Sequence, residues 1–243
     1  MKQSLSTLQA GRRIAALTWK RLLRGRVIWI SGLICALLVL IVPLASPPSP
    51  DVIDWREYFE VLAVLLVVVP ALHLAPWIAE ELDEKTFTYL WSRPFPRRAL
   101  MLGKFMALVP FVLGLCTLAL TAAFLVMFRS QVGAHLTVLG GSWLALSVGI
   151  VGLSATAIGI GAVVPKYATA TVIVYFMFLD TALGGMPFSV QNLAVSFHIR
   201  EILEAALFES ELWPSILWVL GLSAVWIAVA LWRVARAEYS TDG

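Results

Sequence analysis

Residues Leu136 to Val164 read LTVLGGSWLALSVGIVGLSATAIGIGAVV, a run without one charged side chain. It is long enough to cross a bilayer as a helix. Small residues recur in it at four-residue spacing: Gly152 with Thr156, Ala155 with Gly159, Ala157 with Gly161. Such pairs let helix backbones approach closely inside a membrane. Similar apolar blocks fill the chain, which is 60% hydrophobic and only 14% charged over 243 residues. A soluble domain carries about 45–50% apolar and about 25% charged residues. One soluble core cannot hide the excess, because it comes in long blocks and not in alternation. Lipid is the solvent that accounts for it.

Working outward from that run, Pro165-Lys166 makes a minimal turn into a fifth span, Tyr167 to about Gly185. Before it, Arg129 to His135 is a tight loop that comes after a third span, Ala99 to Phe128. A second span covers about Tyr58 to Ala79, after a short polar loop, residues 46–57, that ends in Asp51, Asp54 and Glu57. The first span, Val27 to about Ala45, makes about 28 Å of helix. It reads as permanent and not as a cleaved signal, since the basic stretch before it is long and amphipathic. In that stretch, residues 1–26, Leu5, Leu8, Ala15, Ala16, Trp19, Leu22 and Leu23 gather on one side of a helical wheel. Arg13, Lys20, Arg21 and Arg24 lie opposite, as in a helix resting in the membrane interface. Residues 186–212 are not apolar enough to cross. There Val195, Ile199, Ile202, Leu203 and Ala206 share a face opposite Glu201 and Glu204, an amphipathic re-entrant segment at the outer interface. The last span is about Trp213 to Trp232. The expected fold is thus an all-α membrane protein with six transmembrane helices. A transmembrane domain over 27–234 lies between the interfacial helix and a short tail, 235–243.

Orientation is set by charge. Fifteen of the eighteen Lys and Arg, all but Arg56, Arg129 and Arg200, fall on one side if the N-terminus is inside. The positive-inside rule then makes both termini cytoplasmic. Trp29, Trp55, Trp77, Trp91, Trp213 and Trp232 stand near span ends, where an aromatic belt is expected.

The residues exclude several chemistries. Basic side chains flank spans and form no solvated patch with aromatics, so nucleic acid is not a partner. Cys35 and Cys116 both fall in apolar blocks and show no metal-type spacing, and no metal site is expected. The single Gly-Lys pair, Gly103-Lys104, has Arg98 where the first Gly of a phosphate loop belongs, and Phe105 comes next in place of Ser or Thr. The chain therefore has no nucleotide site of its own. Gly152-Leu153-Ser154-Ala155 weakly matches an intramembrane serine nucleophile, but that needs a base beside it, and His73 is the one histidine well inside a span. Asp180 is the one acid deep in an apolar block, about 20 Å above the cytoplasmic face counted from Lys166. A carboxylate there costs about 2.5–3.5 kcal/mol on insertion scales, so it faces a cavity or a partner. Two readings are open: Asp180 lines a pathway, or it hydrogen-bonds between helices to a Ser or Thr.

The segment from Glu80 to Lys104 carries the sharpest signal. Glu80, Glu81, Asp83 and Glu84 come first, and Arg93, Arg97 and Arg98 last. Phe87, Leu90 and Trp91 recur at three- and four-residue spacing, and Pro94 and Pro96 then break any helix. That is a charged amphipathic helix on the membrane surface, with an apolar stripe that a plain loop would not need. Here the chain resembles the permease subunits of type-two ATP-binding-cassette exporters. Their acidic run, Thr, Leu-x-Ser-x-Pro, Arg and Gly-Lys are matched by Glu80, Glu81 and Glu84, then Thr86, Leu90, Ser92, Pro94, Arg97, Gly103 and Lys104. Lys85 stands where a Gly commonly precedes the Thr, and Pro96 where a Ser or Thr caps the third span. In layout the chain is most similar to permeases linked to copper-enzyme maturation. The resemblance implies a dimer, with a second identical or sister permease, in a bacterial inner membrane. It also implies a partner ATPase that uses ATP and Mg²⁺ on the cytoplasmic face. Glu80, Glu81, Asp83, Glu84, Thr86, Phe87, Leu90, Trp91 and Arg93 would form its coupling helix, with spans two and five lining the path. The competing reading is a membrane scaffold or immunity-type protein without transport.

Overall fold

The computed structural model describes residues 7–45, 50–66, 68–83, 97–129, 131–187 and 189–237. Among these residues the chain is helical, with no strand. Helix α1 is Thr7–Arg24 and α2 is Arg26–Ala45. Helix α3 is Val52–Leu66, α4 is Val68–Asp83, and α5 is Arg97–Met127. A 3-10 turn, Val132–His135, leads into α6, Leu136–Val163. A second 3-10 turn at Pro165–Tyr167 opens α7, Ala168–Val174, which runs on as a π-helix, Tyr175–Asp180, and ends as α8, Thr181–Gly184. After a 3-10 turn at Ser189–Leu193 come α9, Val195–Phe208, and α10, Trp213–Ala237.

Five stretches are long and apolar enough to cross a membrane: Val52–Pro76, Phe105–Met127, Val132–Val163, Pro165–Gly184 and Trp213–Arg233. A sixth is the bent pair Ala15–Arg24 and Ile28–Leu44. The bend is 66° and falls at Gly25, whose N–H returns to the Leu22 carbonyl at 3.1 Å. Beyond it α2, with 20 residues, is about 30 Å long by itself. This is an all-α, multi-pass membrane protein. Before the bend, α1 seats Thr18 and Leu22 in the core, and Trp19 meets Phe111 of α5 edge-to-face at 5.8 Å. Lys20 and Arg24 stay exposed, as an interfacial helix requires.

The loop expected over 46–57 is shorter than expected, because its acids start a helix. Asp51 Oδ1 accepts the N–H groups of Ile53 and Asp54 at 2.8 and 2.9 Å, while Asp54 Oδ2 accepts the Asp51 N–H at 2.8 Å. This reciprocal cap satisfies donors that a helix start leaves free, and it sets α3 going at Val52. The Asp54 N–H, and then that of Ile53, hold the Asp51 carboxyl below the usual carboxylate range. Helices α3 and α4 belong to one apolar stretch, Val52–Pro76, in which Pro70 has no N–H to offer the Leu66 carbonyl.

Helix α6 is the centre of the bundle, with α4, α5, α9 and α10 packed around it. Its buried residues include Gly141, Gly149, Gly152, Gly159 and Gly161. A methyl added at Gly141 would lie 2.6 Å from the Ala206 Cβ of α9, and one at Gly161 would lie 3.0 Å from the Ala75 carbonyl oxygen of α4. At Gly152 it would meet Val219 of α10 at 2.8 Å. The small residues are therefore contact points for three different neighbours. Thr156 does not reach across; its hydroxyl donates back to the Gly152 carbonyl at 3.0 Å.

Trp55 departs from the expected aromatic belt. It is fully buried, and its Nε1–H donates to Ser142 Oγ at 2.8 Å, which in turn donates to the Val138 carbonyl at 2.8 Å. Its ring lies edge-to-face on Phe124 at 5.1 Å. A tryptophan belongs at the lipid interface when its N–H needs water; here Ser142 takes that role, and the ring joins the core. Trp29 and Trp213, by contrast, are 79% and 72% exposed.

Adjacent glycines of α6 test the packing. Gly141→Ala is expected to lower the unfolding midpoint in detergent, by an overpacking cost of about 1–3 kcal/mol. Gly140→Ala, with nothing within 4 Å of the new methyl, should be neutral or gain up to about 1 kcal/mol of helix propensity. Equal midpoints for the two variants would mean that α9 does not press on α6.

Candidate functional site

Four elements line a cavity of about 260 Å³. Helix α3 supplies Glu60, Val61, Ala63 and Val64; the π-helix and α8 supply Phe176, Asp180 and Thr181; α9 supplies Ser196, Ile199 and Arg200. The π-helix matters to its shape. An inserted residue widens the turn and rotates the helix beyond it, and such bulges recur at functional sites. The widened turn is stitched by the Thr181 hydroxyl, which donates to the Phe176 carbonyl at 2.9 Å.

Asp180 ends this turn and is 1% exposed. Its Oδ1 accepts the Val195 N–H at 2.8 Å and its Oδ2 the Ser196 N–H at 2.9 Å. The acid thus caps the first turn of α9 from another helix, where main-chain donors and the helix dipole favour negative charge. Of the two readings open from the sequence, pairing has its partner, though not the expected hydroxyl: the Ser196 Oγ donates to the Asp180 main-chain oxygen at 3.3 Å. Asp180 is nevertheless one of the residues that line the cavity.

Two further contacts hold α9 in place. Arg200 Nη2 donates to the Gly184 carbonyl at 3.0 Å. Arg56 of α3 meets Glu204 of α9 at 2.5 Å and Glu60 at 3.7 Å. The expected α9 face is the buried one, with Val195, Ile199, Ile202 and Leu203 in the core and Glu201 exposed. His198, also buried, shares a 3.0 Å hydrogen bond between Nε2 and the Asn192 carbonyl and stacks on Trp218 at 6.2 Å. Burial holds this ring below the usual histidine range, against the Asn192 carbonyl and the charge of Asp180.

The coupling residues stand elsewhere. Glu80, Glu81 and Asp83 lie in the last turn of α4. Glu84, Thr86, Phe87, Leu90, Trp91 and Arg93 lie outside the described residues. Glu80 is twenty residues from Glu60, about 30 Å of helix, so the acidic run and the cavity sit at opposite ends of one span. Sequence reasoning passed over Glu60 and Arg200 as site residues. Arg56 and Glu60 at i,i+4 carried a readable pairing signal; Arg200 carried none beyond its charge.

Among the described residues the Ser154 hydroxyl has no hydrogen-bond partner, while His73 is bound through Nε2 to Ser31 Oγ at 2.9 Å, tying α4 to α2. Cys35 and Cys116 are buried free thiols. Among the described residues no three of His, Cys, Asp or Glu are grouped to hold a metal.

A family described as ABC-2 family transporter protein matches residues 18–181. The chain belongs to that family. No curated protein matches it. In this ABC-2 membrane protein the matched stretch begins in α1 and includes the Glu80–Lys104 segment. It ends beside Asp180, leaving α9 and α10 beyond it.

The cap and the buried histidine each give a measurable outcome. Asp180→Ala leaves a buried N–H at Val195 and a part-buried one at Ser196 without an acceptor and should destabilise the protein by about 2–4 kcal/mol, with Asp180→Asn, which keeps one acceptor, at roughly half that. Unfolding midpoints in detergent measure both, and an unchanged Ala variant would remove the cap from the account. For His198, the neutral ring is the folded form, and the unfolded chain takes up its proton near pH 6.5. Its contribution is full above that value and is lost as pH falls toward the depressed folded value. Acidification from about pH 7.5 to 5.5 should therefore cost wild type more thermal stability than His198→Gln.

Proposed function

We propose that this chain is the membrane-spanning permease subunit of an ATP-binding-cassette exporter. A partner ATPase binds and hydrolyses ATP with Mg²⁺, and the substrate leaves outward past the cavity between spans two and five. The observation that carries the reading is one cavity between two apolar stretches, Val52–Pro76 and Pro165–Gly184, of an ABC-2 family chain, with the π-turn of the second stretch in the cavity wall. Irregular helix turns recur at functional sites, and such backbone survives in a membrane where it lines a cavity or is buried in protein.

On this reading the face with fifteen of the eighteen Lys and Arg is cytoplasmic, as are both termini, and the membrane is the bacterial inner membrane. The α4 end then faces the ATPase, and α9 the outside. The acids at that end support a docking role. Glu80, Glu81 and Asp83 sit at the C-terminal turn of α4, with no basic residue in that turn. The helix dipole disfavours acids there by about 0.3–1 kcal/mol each, a cost that a basic partner surface recovers. Phe87 and Leu90 serve as anchors and Glu81 and Glu84 as steering charges, since anchors supply most affinity while charges set orientation and encounter rate. A second permease copy, identical or sister, completes the path.

The experiment is pull-down of the ATPase by detergent-solubilised permease, with the ATPase rate measured alongside. Phe87→Ala should cost about 2 kcal/mol of association, as anchor truncations do. Charge reversal at Glu81 and Glu84 to Lys should weaken binding in a salt-dependent way. Undiminished association and coupling in a Phe87→Ala, Leu90→Ala double variant would put the contact elsewhere.

A further inference from the structure

The charges around the cavity are unequally answered. Asp180 gives both carboxylate oxygens to main-chain N–H groups at the positive end of α9. Glu60 has Arg56 at 3.7 Å, and the other contact of Arg56, with Glu204, lies off the cavity wall. Arg200 differs. Among the described residues no carboxylate pairs with it, and its one hydrogen bond goes from Nη2 to the Gly184 carbonyl. A guanidinium carries five N–H donors in a planar fork, so most of those on this cavity-lining residue have no partner among the described residues. A half-buried charge without a counter-charge is costly, and that fork matches a carboxylate or phosphate in two parallel hydrogen bonds.

Apart from the hydroxyl residues Thr181 and Ser196, the rest of the wall is apolar, chiefly Val61, Val64, Phe176 and Ile199. Val61 lies within the Val52–Pro76 span and is 58% exposed, so the apolar wall continues onto the lipid-facing surface. The volume, about 260 Å³, falls just below the roughly 300–1,000 Å³ of drug-sized pockets. It holds a head group and the start of a chain, with the remainder of the chain outside.

We propose that the cavity takes the head of an amphiphile bearing one anionic group, a phosphate or carboxylate. Arg200 is its specificity-determining residue, and the alkyl chain lies along Val61 and Val64. This deepens the reading of the cavity as a substrate site and rests on it. The binding is measured without any ATPase, however, so it and the docking prediction fail separately.

The test is binding of oleoyl lysophosphatidate to the full chain purified in maltoside micelles. It is compared with neutral monooleoylglycerol, with dodecyltrimethylammonium and with inorganic phosphate. Lysophosphatidate should bind at least about tenfold more tightly than the neutral analogue. Arg200→Gln should abolish that preference, Arg200→Lys should keep part of it as a point charge, and Glu60→Gln, which takes a carboxylate out of the wall, should raise it. Val61→Phe, which narrows the apolar wall without touching Arg200, should weaken both acyl ligands. Phosphate alone should bind at least about 100-fold more weakly, for want of the buried chain. Equal affinity for the anionic and neutral amphiphiles overturns the proposal. So does tighter binding of the cation that Glu60→Gln removes, and so does phosphate that matches the lipid. Should Arg200→Gln not fold, the wild-type ligand series and Glu60→Gln decide the question alone.

Discussion

The rest of the structure depends on how closely helices can approach α6. In lipid, apolar side chains gain nothing by turning from hydrocarbon to protein, so helices associate through van der Waals contact and hydrogen bonds. Contact at backbone distance needs residues that do not hold the neighbour off. Gly141 admits Ala206, Gly152 admits Val219 and Gly161 admits the main chain at Ala75. Through these points α9, α10 and α4 are all referenced to one column. The α3–π-helix–α9 cavity has one of its walls, α9, fixed by this column.

Polar side chains perform a second task in the same medium, where an unpaired donor or acceptor is expensive. Trp55 with Ser142, His73 with Ser31 and Asp180 with the start of α9 each join two separate helices. None is placed to be cheap by itself; each is tolerable because the other half is present. A geometry in which helices slid past one another would strand both halves, so these pairs select one arrangement among many that lipid would allow. Asp180 is the strongest case, because one carboxylate answers two main-chain donors that α9 has no internal means to satisfy.

Legibility from the sequence depends on which of these terms is local. Span positions depend on hydropathy within a window, and the α9 face on a 3.6-residue period, so both were legible. The role of small residues in α6 was legible too, though not which helix meets which glycine. Trp55 misled because a tryptophan near a span end has the same local signature in a belt or a core; Ser142, 87 residues away, decides it. The cap on α3 lay in plain view at Asp51 and Asp54, but polar residues in a short connection look like a loop until their N–H partners are counted. Asp180 was visible as an anomaly, yet its partner was not. That pairing needs a π-turn to aim the carboxyl and a turn of chain, Ser189–Leu193, to bring the start of α9 back to it.

The one π-turn among the described residues sits where the cavity needs it. Helix α6 is regular from Leu136 to Val163, whereas the stretch that reaches the cavity wall widens into a π-helix at Tyr175–Asp180. That turn aims Asp180 at the start of α9, and the Thr181 hydroxyl stitches it by donating to the Phe176 carbonyl. The two elements are therefore fixed by different means. Backbone contact at Gly141 sets where α9 lies against α6, while a carboxylate and two main-chain donors set how the π-turn meets α9. Close packing alone would leave the N-terminal donors of α9 unanswered, and the cap alone would not hold α9 against the column, so the cavity between them needs both.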